Sequence, residues 1–137
     1  MLNIQELSFH DVYILNINLN TKKDFFDQIK IFLKSADFIP HLGTDKVILE
    51  FSECYKANLQ LQMWIGGKDT IRELRFMDSS DELSKINEMK EKGLIRKEDS
   101  FKHCEIILNT SSSKIDILAK EVKLEKFEES FSHSEEV

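Results

Sequence analysis

Residues 58–65 read NLQLQMWI. Leu59, Leu61, Met63 and Ile65 fall on one parity, and Asn58, Gln60, Gln62 and Trp64 fall on the other. A period of two with one apolar and one polar set fits an extended strand with a dry face and a wet face. The chain must therefore supply partner strands, and similar runs occur along it. VYILNINL (Val12 to Leu19), KVILEFSE, TIRELRFM, HCEIILN and KIDILAKEVKLE all alternate or are rich in β-branched residues. Gly66-Gly67 directly follows the clearest strand, and a tight hairpin returning through TIRELRFM is expected there. TSSS, Thr110 to Ser113, is expected to turn between the last two strands.

Two stretches read as helices. Thr21 is placed to cap one running to about Ser35, with Phe25, Ile29, Phe32, Leu33 and Ala36 at helical spacing. Ser79 or Ser80 caps the other. Asp81 and Glu82 fall in its first turn, Lys90 and Lys92 in its last, and Gly93 just after it. The expectation is an α+β fold, a largely antiparallel β-sheet of about six strands with two helices. Tyr13, Leu15, Ile17, Leu59, Leu61, Met63, Ile106, Leu108, Ile117 and Leu118 are expected to supply much of the core, the last strand's face being left open. With 137 residues, four glycines and one proline, residues 1–125 read as a single domain. Residues 126–137, KFEESFSHSEEV, read as an acidic, frayed tail.

The composition narrows the function. A net charge of −6 argues against a direct nucleic-acid binder, which needs a basic face. No apolar run approaches the roughly 20 residues of a membrane span. The N-terminal MLNIQELSFHD lacks the regions of a secretory signal, and two cysteines suit a reduced, cytoplasmic protein.

Candidate chemistry is sparse. His10 and Asp11 are neighbours that a strand would point apart, so a turn pair is the simpler reading. Cys54, Cys104, His10 and His103 match no zinc spacing, and no metal or cofactor is expected. Cys104 alternates with Ile106 and Leu108, which explains it as core. A Cys54/His103 nucleophile–base pair is the remaining catalytic option, and no catalytic residue is assigned. Gly66-Gly67-Lys68 joins two strands and is not a phosphate loop.

Three stretches carry a resemblance: FHDVYILNINL, KVILEFSECYKANLQLQMWI and FKHCEIILNTSSSKIDILAKEVKLE. Together, from Leu7 to Glu125, they resemble small bacterial domains that open on a His-Asp step and close with a Thr-Ser-x-Ser-x-Ile-Asp-Ile hairpin. Many such domains are encoded beside polymorphic toxins and are taken to be immunity proteins. The helix expected from Lys22 to Ser35 departs from that pattern. The resemblance implies a non-enzymatic protein that neutralises a cognate toxin by binding it, with no catalytic residues to carry over. An acidic chain would complement the basic groove of a nuclease toxin. Alternatives are a phage-type inhibitor of a host defence nuclease and a small-molecule-binding β-rich domain. The expected partner surface combines an aromatic anchor with solvent-facing carboxylates: Glu50, Glu53, Trp64 and Asp69.

Overall fold

The computed structural model describes residues 4, 7–21, 27–60, 70–109 and 113–127. Six strands form one antiparallel sheet: β1 (Tyr13–Thr21), β2 (Asp27–Lys34), β3 (Lys46–Gln60), β4 (Ile71–Met77), β5 (Lys102–Leu108) and β6 (Lys114–Lys126). Two short helices, α1 (Ile39–Leu42) and α2 (Asp81–Glu91), complete an α+β fold. The strand order is β1-β2-β3-β6-β5-β4, so β6 sits between β3 and β5.

Alternation sets the face that each strand buries. Ile29, Ile31 and Leu33 of β2, Val47, Leu49 and Phe51 of β3, Cys104, Ile106 and Leu108 of β5, and Ile115, Ile117 and Ala119 of β6 form one core cluster. Each large apolar side chain taken fully from water there contributes roughly 1.5–3 kcal/mol. The edge strands meet at one end: Ile71 N–H donates to Val12 O (2.8 Å), Asp11 N–H donates to Ile71 O (2.7 Å), and Tyr13 bridges Thr70. The sheet thus curls its apolar face inward as a partly closed barrel. The turn between β2 and β3 adds Phe38 and Leu42 to this core, and Phe38 packs edge-on to Phe9 at 5.9 Å. Ser35 caps that turn by accepting from Asp37 N–H, and Gly43 ends it in the left-handed region at φ 74°.

Several expectations are corrected. The stretch expected to be a helix up to Ser35 contains β2, hydrogen-bonded on both sides by β1 and β3, and Thr21 ends β1. KVILEFSE and the start of NLQLQMWI are one strand, β3, so the total of six arises differently from the six expected. No hairpin pairs β3 with β4: β3 pairs with β2 and β6, and β4 pairs with β5. The Gly66-Gly67 turn itself lies outside the described residues, as do Leu61 and Met63. A bulge between Ile14 and Asn16 reverses the parity of β1. Ile14 and Ile17 therefore pack on the core while Tyr13 is exposed, and Leu15 is the extra residue of the bulge. Leu118 is buried, but on the opposite face of β6 from Ile117. Among the described residues, no helix is long and apolar enough to cross a membrane.

Candidate functional site

Among the described residues, the outer face of the sheet carries the buried polar side chains Glu50, His103 and Glu105. On β5, His103 and Glu105 alternate with the core residues Cys104 and Ile106, and so point outward. On β6, Lys114, Asp116 and Leu118 do the same, and on β4 Arg75 stands opposite Glu105. Helix α2 covers part of this face and touches β5. Its N-cap is Ser80, whose extended backbone (φ −163°, ψ 168°) lets Oγ accept from Leu83 N–H at 3.2 Å. Ile86 is the residue the helix buries. Lys56 of β3 pairs with Glu82 at 3.1 Å, and Tyr55 Oη lies 3.1 Å from Met89 Sδ, which fastens α2 to β3.

Between α2 and the sheet lies an open cleft of about 400 Å³, to whose lining Ser80, His103, Asp116, Glu105 and Lys114 contribute. Its chemistry is a continuous chain of hydrogen bonds. Arg75 Nε donates to Glu105 Oε1 (2.7 Å), and Lys114 Nζ reaches Glu105 Oε2 (2.9 Å) and Asp116 Oδ2 (3.5 Å). Asp116 Oδ1 is 3.0 Å from His103 Nε2, and His103 Nδ1 is 2.8 Å from Ser80 Oγ. His103 is only 6% exposed. The Lys114 hydrogen bond, with that of Arg75, holds the Glu105 carboxyl below the usual carboxylate range despite its burial. The same hydrogen bond raises the Lys114 ammonium. Glu82 is likewise held low, first by its hydrogen bond to Lys56.

Sequence reading missed Ser80, His103 and Asp116 as a group. Capping accounts for Ser80 in the sequence, and the nucleophile considered for His103 there is Cys54. The usable signal was parity: once β5 pairs with β6, His103 and Asp116 share the outer face as diagonal neighbours. Cys54 lies elsewhere, half-buried, with its thiol 3.6 Å from Phe51 O. It pairs across from Ala119, so it does not face His103. Cys104 points into the core, and burial pushes its thiol far above the ordinary value.

The expected partner surface is only partly described. Glu50 is corrected: it is not solvent-facing but 8% exposed, in mid-sheet between Lys30 of β2 and Lys123 of β6, with Lys30 Nζ at 3.7 Å. Stems of flanking lysines cover such positions readily. Glu53 is half-buried at a bulge, in the left-handed region at φ 53°. Trp64 and Asp69 lie outside the described residues.

His10 and Asp11 do meet, at 3.3 Å, because they form a turn before β1 and are not on a strand. Asp11, at φ 62°, accepts at Oδ1 from Asn109 Nδ2 (3.1 Å), which also reaches Thr70 Oγ1 (2.7 Å). His10 Nδ1 lies 3.1 Å from Arg72 O. This knot joins the entrance of β1 to β4 and to the exit of β5. Among the described residues, no group of three or more His, Cys, Asp or Glu is placed to hold a metal ion. No protein-family model matches the chain, and no curated protein sequence matches it.

Proposed function

We propose that the protein is a cytoplasmic, bacterial immunity-type protein that neutralises a cognate toxin by gripping it. The observation that carries this reading is the His10–Asp11–Asn109 knot. The opening motif of the resemblance is here an architectural lock that fixes the curled sheet. A rigid, curled sheet suits a protein whose work is presenting a shaped surface, because preorganisation lowers the ordering cost of binding. The net charge of −6 suits a basic partner such as a nuclease, by electrostatic steering. A phage-type inhibitor of a defence nuclease would have the same physical profile. Glu53, Trp64 and Asp69 remain the proposed contact residues, with Trp64 as the aromatic anchor.

The test is co-expression with the product of the adjacent gene, followed by pull-down and calorimetry. A stable complex that weakens at least tenfold in Trp64→Ala, with circular dichroism unchanged, supports the reading. A folded protein that captures nothing from its genetic neighbour removes it.

A second reading has its own observation. Leu19, Ile29, Cys54, Tyr55 and Leu59 help to line an open pocket of about 300 Å³ where β1, β2 and β3 approach one another. That size lies at the lower end of small-ligand sites. Thermal-shift screening with small apolar ligands separates this reading from the first.

A further inference from the structure

We propose that Ser80, His103 and Asp116 form a hydrolytic site for small carboxylic esters in the cleft beneath the N-terminus of α2. This goes beyond the binding reading and does not rest on it.

The chain of bonds has a direction. Asp116 accepts only, and Lys114 Nζ lies 3.5 Å from its Oδ2. With Asp116 ionised and His103 neutral, Nε2 of His103 therefore carries the hydrogen toward Oδ1. Nδ1 is then bare, and it takes the Ser80 hydroxyl hydrogen across 2.8 Å. A carboxylate orients an imidazole, and the imidazole is hydrogen-bonded to a serine hydroxyl. Those are the roles of a nucleophilic triad, which is recognised by geometry and not by chain order. The ring's polarity is reversed relative to the serine-protease template, with serine on Nδ1. An N-cap requires only the bond from Leu83 N–H, so the link to a nearly buried histidine and its carboxylate is additional.

The surroundings complete the chemistry. Ser80 stands at the start of α2, where the first-turn amides of Asp81 and Glu82 have no acceptor within the helix. These supply the donors for an oxyanion. The Glu82 carboxylate beside them is neutralised by Lys56. Met77 and Leu118 line the same cleft and provide apolar contact for a short acyl chain.

The reaction balances with water alone. Ser80 Oγ bonds to the ester carbonyl carbon while its proton passes to His103 Nδ1, and the carbonyl electron pair moves onto oxygen. Collapse breaks the carbon–alkoxide bond, and the leaving alcohol takes the proton from His103. Water then attacks acyl-Ser80, giving its proton to His103. Ser80 Oγ leaves and recovers that proton, releasing the carboxylic acid. Asp116 and Lys114 act as positioning residues.

A fluorophosphonate probe followed by peptide mass mapping, together with 4-nitrophenyl acetate turnover, tests the site. Ser80→Asn keeps a good N-cap but removes the nucleophile. The expected result is a probe adduct on Ser80 of the wild type and turnover at solution background in Ser80→Asn. Asp116→Asn should lower turnover by ~100-fold and alter its pH profile, with circular dichroism retained. Absence of an adduct on Ser80 in the folded wild type overturns the proposal. Turnover by folded Ser80→Asn equal to wild type overturns it as well.

Discussion

Glu105 is 7% exposed, yet it keeps its charge because Lys114 and Arg75 converge on its two oxygens from the neighbouring strands. Removing it as Glu105→Ala should destabilise the protein by about 1–2 kcal/mol, below the usual penalty for breaking a buried pair because both cations are half exposed. Urea unfolding measures this. The depressed carboxyls of Glu105 and Glu82 also fix a sign. A carboxyl held low in the folded state stabilises it at neutral pH and loses that contribution as pH falls through its folded value. The melting temperature should therefore drop on acidification below the ordinary carboxylate range, and drop less in Glu105→Gln. In the core, Phe51→Ala should cost about 3–5 kcal/mol. At this scale the sequence was legible where parity alone decided, as for Cys104, Ile106 and Leu108, whereas alternation left the choice between Ile117 and Leu118 open. It was not legible at Glu50, whose outward parity was read as exposure although flanking strands cover it.

Helix α2 was readable from its ends, because capping is local chemistry: Ser80 caps it, and Gly93 follows at φ 77°. Ser80→Ala should lower stability by about 1 kcal/mol through loss of the cap. Gly93→Ala should cost about 1 kcal/mol by backbone strain alone, since an added methyl group meets nothing within 4 Å. Thermal unfolding followed at 222 nm checks both. Strand β2 was misread for a physical reason. Ile29, Phe32 and Leu33 satisfy a helical stripe, while Ile29, Ile31 and Leu33 satisfy a strand, and hydrogen bonding to β1 and β3 decides between them. The bulge in β1 similarly has no mark in the alternation of Tyr13, Leu15, Ile17 and Leu19.

For the whole molecule, composition and alternation led to an antiparallel α+β fold, but the strand order was beyond them. Pairing of β3 with β6 joins residues 46–60 to residues 114–126, and nothing local to either segment announces it. The candidate cleft inherits that blindness: His103 and Asp116 come from paired strands, whereas Ser80 comes from a helix cap. The seam is a feature of the same scale. Asn109→Ala removes bonds to both Asp11 and Thr70, and should cost about 1–2 kcal/mol by urea unfolding.

The position of β6 has a further consequence, in time. Among the described strands it is synthesised last, yet it occupies the interior of the sheet between β3 and β5. A nascent chain halted before residue 114 would hold β1–β3 and β4–β5 as two pieces meeting at the β1–β4 seam, with β3 and β5 each presenting an open edge to the same missing strand. Such edges invite pairing with other chains. Contacts of this sequence separation also slow folding, toward the millisecond-to-second range. The insertion of β6 between β3 and β5, once it has emerged from the ribosome, is therefore the moment at which those two edges stop being open to neighbouring chains.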